Sequence, residues 1–303
     1  MNFPPGANGN LISVAVNSDG IWKETPLAVD ASATENEYNL ILIKLSSSTP
    51  ATQDIHVTLV PVLDSLTTFN HRTFDVVDPK TGKVTLHPEK YYVAPGSTGA
   101  PAFSVVDNGV AIIPKGSYYG YMKIKTVSAD YFGAVPFAFA YRISSVQESG
   151  YVISENNGYS ITHFIPKNPY DGTYSYTGVM VRKNSDGTPV DATDGTIVDG
   201  VTVDLVTTGL TTDTFKPVWA DNGSSVGGIG TPEITINPDN TITVVPKNAS
   251  PANWAPIPSL DNKYDPATKT FYINYKWSGA LAGSPSGTTR GMMLKLVYQG
   301  PRK

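Results

Sequence analysis

The sequence predicts an all-β protein in two domains, and three observations carry that prediction. Short segments of alternating apolar and polar residues recur between clusters of Gly, Pro, Asn, Asp and Ser. No window keeps apolar residues at i, i+3, i+4 and i+7 for three helical turns, so helix is expected to be minor. A proline-punctuated break, Ile165-Pro166-Lys167-Asn168-Pro169-Tyr170-Asp171-Gly172, then interrupts the chain. Pro166 and Pro169 lack the N–H that a strand ladder needs, and each holds its preceding residue extended, so pairing is expected to stop there. The domains are therefore expected at residues 1–166 and 167–303. Each, at about 150 residues, is long enough to bury a core without staples.

In the first domain, Leu11 to Val16 and Tyr38 to Leu45 read as strands, the second apolar enough to be central. Ile55 to Val62 follows. Phe74 to Val77 and Lys83 to Leu86 flank Asp78-Pro79-Lys80-Thr81-Gly82, whose early Pro and late Gly mark a hairpin turn. Further strands are expected at Val110 to Ile113, Tyr119 to Lys125, Ala134 to Ser144 and Tyr159 to Phe164. Short strands at this spacing suit an immunoglobulin-like β-sandwich. The second domain offers Thr173 to Val181, Thr196 to Val206, Glu233 to Ile236, Thr241 to Val245, Lys269 to Trp277 and Met292 to Tyr298, with Asn237-Pro238-Asp239-Asn240 as a hairpin turn. That set fits a barrel-like domain or a second sandwich.

Several motifs resemble a known family. Tyr131-Phe132-Gly133-Ala134-Val135-Pro136-Phe137-Ala138-Phe139-Ala140-Tyr141-Arg142-Ile143, then Gly150 to Glu155, then the Lys167-Asn168-Pro169-Tyr170-Asp171-Gly172-Thr173-Tyr174 run, are similar to the domain of unknown function 1735 family of Bacteroidetes. Asn262 to Tyr275 resembles the end of the second β domain that often follows it. The resemblance implies a secreted lipoprotein exposed on the outer membrane, anchored by a lipid and associated with glycan-uptake proteins. None of the matching positions is a known catalytic residue of that family.

Composition excludes several function classes. Net charge is −4 with only 16% charged residues, which leaves no basic face large enough to collect nucleic-acid phosphates. The absence of cysteine removes disulfides, thiol nucleophiles and zinc–cysteine sites. No apolar stretch is long enough for a membrane helix. Met1-Asn2-Phe3-Pro4-Pro5-Gly6 lacks the charged and apolar regions of a signal peptide, so the chain reads as a mature form.

A catalytic set is not evident. The four histidines, His56, His71, His87 and His163, stand singly, with no spacing that places two imidazoles on one metal. No nucleophile elbow, phosphate-cradling loop or dinucleotide fingerprint occurs. Asp186-Gly187-Thr188-Pro189-Val190-Asp191-Ala192-Thr193-Asp194-Gly195 with Asp199-Gly200 reads either as a calcium loop or as Asx and glycine turns, and its spacing departs from the usual Asp-x-Asp-x-Asp-Gly pattern. No cofactor is expected. Two carboxylates at roughly 5–10 Å would define a glycosidase, but that pair is set by separation in space and leaves no mark in sequence.

Aromatic residues are the functional lead: 17 Tyr, 10 Phe and 4 Trp. Alternation in Phe271 to Trp277 puts Trp277 on the core face. Trp219 and Trp254 lie in Lys216 to Gly223 and Ser250 to Pro256, segments without strand periodicity, and binding residues collect on such loops. Each can either fold back as a lid on the core or stand out to stack on a sugar's C–H face. The candidate site is thus Trp219 and Trp254 as stacking surfaces, with Asp221, Asn222 and Asn253 as partners for sugar hydroxyls. Tyr118, Tyr119 and Tyr121 read as alternating strand residues in preference to a binding platform. The expected function is non-catalytic capture of poly- or oligosaccharide at the cell surface. The alternatives are an adhesion or spacer protein with a protein partner and, behind it, a glycoside hydrolase.

Overall fold

The computed structural model describes residues 10–15, 22–29, 35–222, 225–278 and 289–302. Met1 to Gly6, Val16 of the first expected strand and Gly223 of the Trp219 segment lie outside the described residues. The chain divides into two compact units, Met1–Pro166 and Lys167–Lys303.

Unit 1 contains β1 (Leu11–Val14), β2 (Trp22–Ala28), β3 (Asn36–Ser46), β4 (Ile55–Pro61), helix α1 (Leu63–Phe74), β5 (Val76–Val77), β6 (Val84–Thr85), β7 (Phe103–Val105), β8 (Val110–Ile113), β9 (Tyr119–Thr126), β10 (Phe139–Val146), β11 (Val152–Ile153) and β12 (Tyr159–Lys167). All except β5 and β6 join one sheet in the order β11-β1-β3-β9-β8-β4-β10-β12-β2, with β7 beside β9. The inward residues of these strands, among them Ile12, Leu27, Ile43, Ile55, Ala111, Met122, Phe139 and Phe164, meet in a single core. The sheet therefore curls around its own apolar face, the burial that a sandwich achieves with separate layers. β5 and β6 form the expected hairpin, with Val77 opposite Val84.

Helix α1 is absent from the sequence reading. Its apolar stripe is thin: Leu66 and Phe69 are buried, but the third buried residue is Asn70, and Thr67 and Thr68 return their hydroxyls to the backbone of Leu63 and Asp64. Polar and β-branched residues in helix interiors weaken the propensity signal, so this helix depends on the sheet beneath it, where Ala138, Ala140 and Ile161 receive Leu66 and Phe69.

β12 runs through Pro166 to Lys167, because a proline near a strand end gives up few ladder bonds. The break falls at Asn168 to Asp171. Asn168 Oδ1 accepts from the N–H groups of Tyr170 (2.9 Å) and Asp171 (3.1 Å), and Nδ2 donates to the carbonyls of Gly209 and Thr212 and to Asp213. The Lys-Asn-Pro-Tyr-Asp run is thus a side-chain-built turn.

Unit 2 contains β13 (Gly172–Lys183), β14 (Gly195–Thr196), β15 (Thr202–Gly209), β16 (Thr212–Thr214), β17 (Glu233–Ile236), β18 (Ile242–Val245), β19 (Ala252–Pro256), β20 (Lys263–Asp265), β21 (Thr270–Ser278) and β22 (Thr289–Gly300). Their order is β18-β17-β16-β15-β13-β22-β21-β19, with β20 also on β21 and β14 on β13. One end of this path returns to the other side: Ile242 N donates to Asn262 O (3.1 Å) and Tyr264 N to Asn240 O (2.9 Å), joining the start of β18 to β20 on β21. This closure gives unit 2 the barrel-like form. The strand expected over Thr196 to Val206 is split, because Gly200 takes positive φ (80°) and turns the chain between β14 and β15. Part of the loop expected around Trp254 is strand β19, paired with β21.

Candidate functional site

In unit 2 the expected stacking residues pack on the core, Trp219 buried and Trp254 half-buried. Trp219 is 6% exposed, and Arg182 places its guanidinium 5.3 Å from the indole centroid. Trp254 is half-buried, stacks on Tyr275 at 4.9 Å and donates Nε1–H to Val244 O at 2.9 Å. Both indoles pack on Trp277, at 6.4 and 5.6 Å, so the structure brings the two segments together over one core residue. Asp221, Asn222 and Asn253 are exposed beside them, the two asparagines in left-handed turns. Large indole rings gain most by burial; Trp219 is almost fully enclosed, and Trp254 has one face stacked on Tyr275.

The acidic segment is a series of turns. Asp186 Oδ1 accepts from Thr188 N (2.9 Å), Asp191 Oδ1 from Thr193 N (2.9 Å), and Asp194 Oδ1 from Arg182 N (2.6 Å). Arg182 also pairs with Asp191 at 3.2 Å. Among the described residues no group of three His, Asp or Glu is placed to hold a metal ion.

Two carboxylates of unit 2 are driven apart in acidity. Burial raises Asp213 to about 7, with Asn168 and the Asp171 charge acting in opposite directions on it. Asp171 is held below its ordinary value: hydrogen bonds from Thr207 and Arg302, with the charges of Arg302 and Lys167, outweigh its own burial. Lys167 Nζ lies 3.2 Å from Asp171 Oδ1 without hydrogen-bond alignment. Split acidity of this kind marks acid–base pairs in enzymes, but Asp213 is wholly buried and the Asp171 side chain is 2% exposed. The pair is enclosed within unit 2.

Unit 1 holds the open aromatic site. Asn70 on α1 clamps the backbone of Tyr92 by two bonds, Nδ2 to Tyr92 O (2.7 Å) and Tyr92 N to Oδ1 (3.0 Å), which fixes the Tyr91-Tyr92 segment against the helix. Trp22, at the start of β2, stacks on Phe69 with centroids 4.6 Å apart and planes at 18°, and meets Tyr92 at 5.2 Å. Phe74 closes on Tyr92 at 5.6 Å. These four rings wall a cavity of about 590 Å³ whose rim carries Glu24, Arg72 and Thr73. Glu24 and Arg72 are exposed and make no ion pair with each other or with other described residues. A second cavity of about 350 Å³ shares Phe74 and Tyr92 and reaches His163, whose imidazole burial lowers to about 4, so it is neutral at pH 7. Beneath the helix end, Asp75 accepts from Tyr91 Oη (2.6 Å) and His87 N (3.0 Å) and pairs with His71 (2.8 Å).

Sequence reasoning missed this cleft. Trp22 stands in a segment without clear alternation, Phe69 and Phe74 belong to the helix that went unread, and Asn70 shows no sign in sequence of its backbone clamp. The histidines are accounted for singly: His56 pairs with Glu148, His71 with Asp75, His87 with Glu89, and His163 is packed against Tyr92.

A family model for a C-terminal domain matches residues 158–296. No curated protein is detectably similar in sequence. Among solved structures, two Bacteroides ovatus proteins of unknown function are similar, one at TM-score 0.54 and 10% identity covering 97% of this chain and 95% of that one, the other at 0.52 and 15% covering 94% of each. A Bacteroides ovatus multidomain protein including DUF1735 is similar at TM-score 0.50 and 12% identity, covering 94% of this chain and 93% of that one. At these identities the likeness is one of fold. The resemblance to the domain of unknown function 1735 family, with a second β domain behind it, holds at that level.

Proposed function

We propose that this chain is a non-catalytic glycan-capture protein of the outer cell surface, held there by a lipid, and that its contact site is the aromatic cleft of unit 1. The observation that supports this reading is the combination of open rings and unpaired polar groups around Trp22, Phe74 and Tyr92. A pyranose presents an apolar C–H face and a rim of hydroxyls. Trp22 and Tyr92 match the first; Arg72 as donor and Glu24 as acceptor match the second. Each ring contact contributes about 0.5–1.5 kcal/mol beyond burial. A few such contacts give roughly micromolar to millimolar affinity, sufficient for multivalent capture. The surface location and the glycan-uptake partners come from the family resemblance.

The test is retardation of the purified chain in affinity gels containing laminarin, xylan, galactomannan, polygalacturonate or chondroitin sulfate. Retardation by one of these, weakened in Arg72→Ala and Glu24→Gln and lost in Tyr92→Ala, is expected. Arg72 and Glu24 are exposed, so loss of binding there is separable from loss of fold. A chain that no glycan retards overturns the reading.

A second reading has its own observation. The β5–β6 hairpin exposes Val76 (56%), Val77 (58%), Val84 (51%) and Leu86 (57%), a cluster that suits an adhesion or spacer role with a protein partner. A stable complex with an outer-membrane glycan-uptake protein, lost on Val77→Asp with Val84→Asp, would favour it.

A further inference from the structure

We infer that the outward face of β3, β8 and β9 in unit 1 is a second saccharide surface, one that takes an extended polysaccharide carrying carboxylates or sulfates. This rests on the reading of the chain as a glycan-capture protein. Along β9, Gly120, Met122, Ile124 and Thr126 point into the core, so Tyr119, Tyr121, Lys123 and Lys125 share the outer face. Tyr119 is 48% and Tyr121 41% exposed. The pairing register places Lys44 beside Tyr119 and Leu42 beside Tyr121 on β3, and Ile112 beside Tyr121 on β8. Leu42, Tyr121 and Ile112 thus make a stripe across three strands, along a groove of about 470 Å³.

Lysines outnumber carboxylates on the outer face of these three strands, while on neighbouring β4 His56, opposite Ile112, is paired with Glu148. Lys44, Lys123 and Lys125 stand against two carboxylates, Glu37 and Asp107, in a chain whose net charge is −4. Glu37 is already held by Lys123 at 2.8 Å, and that hydrogen bond, with the charge of Lys125, keeps its carboxyl below the ordinary value. Lys44 has no ion pair among the described residues. From Tyr119 to Lys125 the track of rings and then ammonium groups is about 20 Å long, the length of several sugar units and not of one. A Cβ on Gly120 would lie 2.2 Å from Ile112 O, so β8 and β9 are in close backbone contact between the two tyrosines. Lysine is depleted from the cores of protein interfaces, whereas a flat ring with a neighbouring ammonium suits a sugar bearing an anionic group. These features select an acidic glycan over a protein as occupant.

The test compares wild type, Tyr119→Ala with Tyr121→Ala, Lys44→Ala with Lys125→Ala and, as a control outside both surfaces, Val77→Asp with Val84→Asp in gels of polygalacturonate, chondroitin sulfate and neutral laminarin. Retardation by an acidic polymer is expected to fall several-fold in both face variants, to weaken as salt is raised, and to persist in the hairpin variant. Acidic-polymer retardation unchanged in the face variants, or absent from wild type while a neutral glycan still binds through the cleft, overturns the second surface alone. Absence of retardation by every polymer overturns this surface and the capture reading together. Sedimentation without glycan adds a control: a wild-type dimer that dissociates in the tyrosine variant would make this face a contact between copies and overturn the proposal.

Discussion

Both units bury aromatic rings in their cores, unit 1 among them Phe137, Phe139 and Phe164, but they differ in the rings they leave at the surface. In unit 2, Tyr174, Tyr264, Phe271, Tyr275, Trp277 and Trp219 are buried in one core, and Trp254 and Tyr298 pack against it from the side. In unit 1, Trp22, Phe74 and Tyr92 form a satellite cluster that stays partly open beside α1, and Tyr119 and Tyr121 stand on the outer face of the sheet. A closed ladder supplies a small interior that large rings fill, whereas a curled sheet with a helix laid on it leaves seams where rings reach solvent. The difference teaches that a tryptophan in an irregular segment is not thereby a surface tryptophan.

The largest effect should come from the filled interior. Trp219→Ala and Trp277→Ala are each expected to cost about 3–5 kcal/mol, the range for deleting a packed aromatic. Denaturant unfolding monitored by hydrogen exchange should place that loss in unit 2, and on the proposed function glycan retardation through the cleft of unit 1 should persist. A Trp219→Ala protein of normal stability that has lost glycan retardation would break the comparison and return the site to unit 2.

Acidity separates the units in sign. Asp213 has a folded pKa near 7, above its unfolded value near 4. The folded unit 2 therefore holds a proton that the unfolded chain releases, and this contribution is full below about pH 4 and lost as pH rises through 7. Its size is about 4 kcal/mol, three pKa units at about 1.4 kcal/mol each. Asp171, with a lowered pKa, acts below that window. His163 in unit 1 has a folded pKa near 4, below its ordinary value of 6.5. Its contribution is full above 6.5 and is lost as pH falls towards 4, by about 3 kcal/mol. Between pH 4 and 7 unit 1 should gain stability and unit 2 should lose it, read as opposite slopes in segment-resolved hydrogen exchange. Asp213→Asn should flatten the slope of unit 2 alone; a slope unchanged in that variant would remove Asp213 from the account.

Much of the fold was legible because alternation and turn chemistry are local. β8 and β17 start and end where their apolar runs do, and Asp239 caps the expected turn through Thr241 N at 3.0 Å. The site was not legible, for physical reasons that are also specific. Asn70 is buried in α1 because its amide satisfies Tyr92, a partner 22 residues away, so the helix lacks the apolar stripe that would have revealed it. Trp219 and Trp254 lack strand periodicity, yet they converge on Trp277 through the closure of the barrel, a long-range event that no window of sequence displays. Tyr119 and Tyr121 are alternating strand residues, as expected, whereas Tyr118 lies in the bend before β9. What alternation leaves open is whether the face they occupy is covered.

The smallest stability effects should accompany the clearest effects on binding, which is the sharpest form of the comparison. Trp22 is half-buried on Phe69, so Trp22→Ala is expected to cost about 1–2 kcal/mol, less than the unit 2 tryptophans because less surface returns to water. Arg72→Ala is expected to change stability by less than about 0.5 kcal/mol, since its guanidinium is exposed and without an ion pair among the described residues. Both should weaken glycan retardation, by roughly 2-fold to 12-fold for each lost contact of about 0.5–1.5 kcal/mol. Trp22 is also the single tryptophan of unit 1. In a variant with Trp219, Trp254 and Trp277 changed to Phe, its fluorescence reports the cleft directly, provided circular dichroism shows that unit 2 still folds. A shift in that emission on adding glycan, absent in Tyr92→Ala, places the ligand against the indole. Emission indifferent to a glycan that still retards the protein places the ligand elsewhere, and the openness of the unit 1 rings would then be a matter of packing alone.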